Sequence, residues 1–388
     1  MPALASRDQL FAKGKSLRQT CPRGSHAAWS PPPDRLDPVQ LIRQANEGRI
    51  PTLVPIRHGR MLQSPFTFYR GTALNMAADL AATPATGIRV QVCGDAHLGN
   101  FRCFATPERR VIFDINDLDE TLPGPWEWDV KRVAASFIAA SRSAGIRDRD
   151  GQEAVQRCVN AYRESMSTFS QMHALDVWHS AVVVDAEIEK MGDKSHKKQL
   201  KSALAKARKR DALEHDFPEL AHAEHNRPVI TENPPTIYHW PSNPEKFMAV
   251  ARDAFVNYRR SLPPERRVLL DRFDLMDVAV KVVGVGSVGT YCFVLLLQAG
   301  DKDHLFLQAK QARASVLEAF AGASAFRTHG QRVVVGHRLM QSASDMFLGW
   351  TQATTGEHYY FRQLRDVKIK FKVDTLNRPT HEALEQCT

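Results

Sequence analysis

The stretch VQVCGDAHLGNFRCF (90–104), with VIFDINDLDE (111–120) close behind, crowds Asp95, His97, Asn100, Asp114, Asn116, Asp117, Asp119 and Glu120 around two short apolar runs. Carboxylates gathered at strand ends repel one another unless positive charge sits among them. Their chemistry suggests a metal ion: carboxylate and amide oxygens are hard donors of the kind Mg2+ takes, alongside water and phosphate oxygens. Asp95 and Asn100 flank a loop, five positions apart, and Asp114 ends the next strand fourteen residues on. In phosphoryl transfer one Asp orients the attacking hydroxyl while an Asn and a second Asp hold the metal, and this order of residues fits that division. Asp117 is the best placed of the remaining acids to serve as an extra ligand. His97 has no second His at ligand spacing and is expected to brace its loop.

A second motif, KVVGVGSVGTYCFVLLL, places Gly284, Gly286, Ser287 and Gly289 in a GxGxxG pattern. In a dinucleotide-binding fold such glycines open a helix, whereas here they lead into strand-like TYCFVLLLQ. Strand, glycine loop and strand make a hairpin whose bare backbone can lie over phosphates. The next expected strand, LFLQAK, delivers Lys310, where a lysine would contact nucleotide phosphates. No GxxxxGK[ST] occurs, so a P-loop has no support.

The elements that must hold these motifs read as α+β. Helices are expected at 38–47, 68–81, 127–145, 151–172, 245–260, 263–271 and near 314–326; strands at 88–95, 109–117, within 277–312, 331–341 and 359–366. Residues 1–38 form a basic extension broken by WSPPPDRLDP. A mainly helical unit follows over 39–225, then a Pro-rich connector, 226–244, then a β-containing unit, 245–388. The 388 residues are 43% hydrophobic, enough for two cored lobes. No apolar run approaches the roughly 20 residues that span a bilayer, and no membrane partner is expected. Six scattered cysteines without a CxxC pair fit reduced thiols in the cytoplasm. The net charge of +9 favours an acidic partner. The basic segment 189–211 has no interleaved aromatics, so nucleic acid is not expected there.

GDAHLGNF, FDINDLDETLPGPWEWDVKR, KVVGVGSVGT, LFLQAKQARASVLE and YYFRQLRDVK resemble the bacterial family known as domain of unknown function 2252, over about residues 25–375. More distantly, GDAHLGN, FDIND and GPWEWDVKR are similar to the catalytic segment of aminoglycoside and choline phosphotransferases of the protein-kinase-like fold. That resemblance implies Asp95 as the catalytic Asp, Asn100 and Asp114 as Mg2+ ligands, and Asp129 as a structural carboxylate behind the loop. It also implies Gly284, Gly286, Gly289 and Lys310 as the ATP clamp, with Glu318 as the lysine's ion-pair partner. The motif order is reversed relative to kinases, so a circularly permuted two-lobed kinase-like fold is expected. Relatives are expected to carry more helical sequence beyond the final THEALEQCT, implying truncation there. The expected activity is ATP/Mg2+-dependent phosphoryl transfer to a hydroxyl of an unidentified small molecule or protein. A nucleotide-binding module without turnover, a metal-dependent hydrolase and nucleotidyl transfer remain as alternatives.

Overall fold

The computed structural model describes residues 5–209, 220–225, 227–300 and 303–364. It is a mixed α+β arrangement with several sheets. In chain order the strands are β1 (Arg89–Val92), β2 (Phe101–Ala105), β3 (Val111–Ile115), β4 (Leu122–Pro125), β5 (Val182–Val183), β6 (Ala221–Glu224), β7 (Arg227–Ile230), β8 (Ile237–Tyr238), β9 (Asp274–Lys281), β10 (Cys292–Ala299), β11 (Asp303–Ala312), β12 (Gly349–Gln352) and β13 (His358–Gln363). The helices used below are α1 (Arg7–Thr20), α2 (Val54–Met61), α3 (Pro65–Arg70), α4 (Ala73–Ala81), α5 (Trp126–Ser143), α6 (Asp148–Phe169), α7 (Lys194–Lys209), α8 (Pro244–Arg260) and α9 (His329–Met340).

The largest sheet has six strands in the order β12-β13-β11-β10-β9-β8. Its two faces follow from the alternation of side chains along each strand. On β11, Leu305, Leu307 and Ala309 join Leu295, Leu297, Tyr359 and Phe361 in an apolar core capped by Phe255 and Tyr258 of α8. The other face carries Phe306 and, further along the strand, Gln308 and Lys310. Smaller sheets pair β2-β3-β5, β1-β4 and β6-β7. The β2–β3 and β1–β4 pairs hold the acidic segments, and α5 packs behind them.

Several expected elements differ. The span 68–81 is two helices, α3 and α4, divided at Thr72, whose backbone leaves the helical region (φ −118°, ψ 41°); Gly71 before it passes so close to Met61 that a Cβ there would lie 2.6 Å from its Cγ. Residues 329–340 are helix α9 where a strand was expected. The run Val333–Val335 favours strands by its β-branching, yet Val333, Val334 and His337 fall on one buried helical face. Near 314–326 only Glu318–Ala321 is helical. The Pro-rich connector contains β7 and β8, and β8 pairs with β9 as an edge of the large sheet. The N-terminal extension contains α1, started by a Ser6–Gln9 capping box. Within the basic segment 189–211, α7 is helical. The chain end, THEALEQCT, lies outside the described residues.

Two contacts that hold this frame together are testable. A Cβ at Gly336 would lie 2.2 Å from Thr121 Cγ2, and Thr121 is fully buried with its hydroxyl donating to Val92 O at 2.6 Å. Alanine gains about 1 kcal/mol of helix propensity over glycine, but overpacking costs about 1–3 kcal/mol, and this approach is far inside contact. Gly336→Ala is expected to lose stability by at least about 1 kcal/mol in urea melts.

The connector is fastened by His239, whose Nδ1 and Nε2 reach Glu232 at 2.8 Å and Asp277 at 2.9 Å. Hydrogen bonding to Asp277 raises the imidazole to about 9, against a burial cost. The folded value exceeds the unfolded one, near 6.5. The contribution is therefore fully present below pH about 6.5 and lost as pH rises through 9. The melting-temperature gap between the native chain and His239→Gln is expected to close over that window. A gap constant from pH 6 to 10 would remove the ion pair from the account.

Candidate active site

The loop after β1 is built from local constraints. Gly94 has φ +81°, and a Cβ there would meet Glu120 O at 2.6 Å, so only glycine fits. Asp129, in the first turn of α5, accepts from Cys93 N at 2.6 Å and Gly94 N at 3.0 Å. Burial lifts Asp129 to about 6, even against those two N–H donors. Ser136, two turns along α5, accepts from Leu98 N at 2.9 Å. Asp95 is thereby presented from a loop held at both sides by one helix.

Arg132, on the same helix face, donates through Nε to Asp95 Oδ1 at 2.7 Å. Its side chain is almost wholly buried, and Asp95 raises its pKa despite the burial cost. This pairing leaves Asp95 Oδ2 as the open oxygen, 3.8 Å from His97 Nε2. Burial depresses His97 to about 4, so the ring is neutral at pH 7. It packs edge-to-face with the buried Phe66 ring, centroids 6.0 Å apart.

Asn100 joins this loop to the next acidic segment. Its Nδ2 donates to Asp117 O at 2.7 Å and Asp95 O at 3.2 Å, while its Oδ1 accepts from Asp117 N at 2.7 Å. The reciprocal pair fixes the Asp117 backbone beside Asp95.

The positive charge among the carboxylates comes from the far end of the chain. Lys310 Nζ, on β11, donates to Asp117 Oδ1 and Oδ2 at 3.0 and 3.1 Å, and to Asp119 Oδ2 at 2.6 Å. Tyr360 OH, on neighbouring β13, donates to Asp119 Oδ1 at 2.5 Å. The lysine side chain is 3% exposed and that of Asp117 36%, so the carboxylate is the more accessible partner. Burial alone would raise Asp117, but the charges of Lys310 and then Arg362 hold it well below the usual carboxylate range. Burial and the neighbouring Asp117 charge push Asp119 up. Burial would lower Lys310, yet the two carboxylates lift it well above its ordinary value.

The glycine hairpin, 282–291, emerges next to this lysine, since Cys292 and Lys310 are paired across β10 and β11. Gly284 and Gly289 take φ of +69° and +87°, the left-handed conformation that favours glycine. Val285 and Val288 are buried, Val288 against Leu53 and Val282. The hairpin carbonyls of Gly284 and Val288 accept from Arg60 and Arg49, both at 2.7 Å. A Cβ at Gly286 would sit 3.2 Å from Arg70 O, and the Arg70 charge is felt at His97. Ser287 O accepts from the Thr290 hydroxyl at 2.8 Å, closing the turn.

Asp95, Asn100, Asp117 and Lys310 therefore form one connected group, with the glycine hairpin at its margin. Two expected members stand apart. Asp114 turns to the loop after α9, where Oδ2 accepts from Ser342 N and Oγ, both at 2.9 Å, and Oδ1 from Ile115 N. Asp117, past the strand end, takes the place facing Lys310. Glu318 accepts from Ser315 N at 3.1 Å and lies near His329 and Arg332. It bonds within its own segment, and the lysine's partners are Asp117 and Asp119 instead.

Arg132, Tyr360 and Arg332 complete the site without having been singled out in the sequence, and Asp119, one of the acids crowded there, has Lys310 as its partner. Buried Arg332, on α9, donates to Thr121 O at 2.6 Å and to Asp119 O and Arg313 O at 2.8 Å. It locks the acidic segment to the chain just beyond Lys310. Arg132 did carry a signal: Asp129, Arg132 and Ser136 recur at helical spacing, so one face of α5 serves the loop.

Among the described residues, no three His, Cys, Asp or Glu side chains form a metal cage. The oxygens present are Asp117, Asp119 and Asn100 Oδ1. That set suits Mg2+, which keeps waters and takes one or two carboxylates plus phosphate oxygens rather than a full protein cage.

A family model described as an uncharacterized protein conserved in bacteria, DUF2252, matches residues 49–387. The chain belongs to the DUF2252 family. The match spans both the acidic loops and the glycine hairpin, so the connected group lies inside the DUF2252 region. No curated protein and no solved structure matches this DUF2252 chain. No helix among the described residues is long and apolar enough to cross a membrane.

Proposed function

We propose that this DUF2252 chain is an ATP- and Mg2+-dependent phosphotransferase of a circularly permuted, two-lobed kinase-like fold, acting on a hydroxyl-bearing acceptor. One observation carries the reading: Lys310, on the second strand after a glycine hairpin, meets the Asp117 carboxylate 193 positions earlier, next to the Asp95 loop. A glycine hairpin, a lysine on the third strand, an Asn and a metal-binding Asp are the working parts of kinase-type phosphoryl transfer. The antiparallel run β9-β10-β11, with the lysine on its third strand, supports the assignment.

In this scheme Lys310 and the hairpin backbone bind the phosphates. Mg2+, held by Asp117 with Asn100 Oδ1 beside it, would neutralise phosphate charge. Asp95 Oδ2 orients the acceptor hydroxyl and receives its proton, while Arg132 fixes Oδ1 and neutral His97 walls the loop. Asp119 and Tyr360 hold the lysine when no phosphate is present.

Thermal shift with ATP, with and without Mg2+, tests nucleotide binding. ATP at a hundredfold excess over its Kd adds about 2.7 kcal/mol. ATP consumption by the intact chain then tests turnover. No Mg2+-dependent shift at millimolar ATP would dismiss the reading.

A further inference from the structure

A half-open cavity of about 80 Å³ is walled by the β2–β3 hairpin, α9 and β13. Its polar lining includes Thr106, Asn116, His337, Gln341, Asp345 and Arg362, and Phe104, Met346 and Leu348 give it an apolar side. Asp95, Asp117 and Lys310 do not line it.

The hydrogen bonds fix what His337 offers there. Gln341 Nε2 donates to Ile115 O at 2.7 Å, so its Oε1 is the atom left to accept. Oε1 lies 2.9 Å from His337 Nδ1, which must therefore carry the ring proton. Burial, with the Arg362 charge behind it, depresses His337 to about 4 and keeps the ring neutral. Nε2 is then a bare acceptor. His337 is 2% exposed and Nε2 has no partner among the described residues. A buried acceptor without a donor is costly, and the space would hold several waters or one small molecule.

The other groups narrow the class. Asp345 is an acceptor, taking Phe347 N at 2.8 Å and Gln363 N at 2.9 Å. Arg362 is a donor, giving Nε to Gln308 Oε1 at 3.2 Å and Nη1 to Asn116 O at 2.9 Å, and Arg109 stands in the lining. A carboxylate has no proton to give the unpartnered Nε2, and an amine would meet two guanidinium groups. A hydroxyl satisfies both kinds of neighbour, since it donates to Nε2 or carboxylate and accepts from guanidinium.

We propose that this cavity is a second ligand site that binds a small neutral polyol, one hydroxyl donating to His337 Nε2 and another accepting from Arg362, with C–H groups against Phe104 and Leu348. The occupant sits against Asn116, the residue before Asp117, and against His337, whose ring centroid lies 6.1 Å from that of Tyr360. Its binding is independent of the phosphotransferase reading, and the test uses no nucleotide.

The experiment is a long-range proton–nitrogen spectrum of the intact chain carrying nitrogen-15 histidine, titrated with glycerol, myo-inositol and, as the acid control, glycolate. The expected result is a saturable movement of the His337 Nε2 resonance with glycerol or myo-inositol, none with glycolate, and an unchanged Nδ1 proton. His337→Phe assigns the resonance; if that chain does not fold, Gln341→Met assigns it by disturbing the same ring. A resonance that no polyol moves, or one that drifts linearly without saturation, means the cavity holds water only and overturns the site. Equal movement with glycolate overturns the polyol class.

Discussion

Asp95→Asn is expected to lower phosphoryl transfer by about 10²–10⁴-fold while nucleotide still binds. The substitution keeps the shape of the side chain. Its oxygen can still accept from Arg132, as Oδ1 does now at 2.7 Å. The group facing the acceptor then becomes an N–H2 donor, which opposes a hydroxyl proton where Oδ2 would accept it. Loss of the charge also leaves Arg132 buried without its counter-ion, so a lower melting temperature is expected. The ATP-dependent thermal shift separates the two effects: a folded chain that binds ATP and does not turn over has lost chemistry alone. A variant that consumes ATP as fast as the parent would end the role given to Asp95.

Lys310→Met is expected to be the most destabilising single change at the site, because it strips two close carboxylates of their shared cation. Removing one partner of a buried ion pair typically costs about 3–5 kcal/mol, with some relief here because Asp117 keeps 36% of its side chain exposed. The pH dependence has a definite sign. Asp119 is raised by burial and by Asp117 even in the native chain, and without the ammonium that upward push grows. A folded-state carboxyl raised above its unfolded value loses stability as pH climbs through it. Urea midpoints of Lys310→Met and the native chain are expected to lie closer at pH 5 than at pH 8, and ATP affinity to fall with the lost phosphate contact. Equal midpoints at pH 8 would place Lys310 outside the carboxylate group.

The parts of the site that sequence makes readable are those whose constraints are local. Gly94, Asp95 and Asn100 share one short loop, and Asp129 sits at the start of a helix whose periodicity is plain. The choice between Asp114 and Asp117 is not local. The two lie three residues apart at the end of β3, and only the position of Ser342, more than two hundred residues on, draws the first away. Lys310 was readable as the lysine after a glycine hairpin, whereas its partners were not. The nearer Glu318 is taken by Ser315 N, while Asp117 and Asp119 lie 193 and 191 positions before the lysine. Helix α9 shows the same limit for the fold. Its valine run has strand propensity, and what makes it helical is tertiary: Arg332 must reach three backbone carbonyls, and Gly336 must pass against Thr121.

The ion pair between positions 117 and 310 also bears on how the molecule is made. During synthesis the acidic loops leave the ribosome long before the strand that neutralises them, and the first half must wait with its anions hydrated. Closing so long a loop is slow, so docking of β11 is expected late, after both flanking regions have acquired their own cores. Salt screens the attraction between Lys310 and the Asp117–Asp119 pair, so raising it is expected to slow that docking step in refolding.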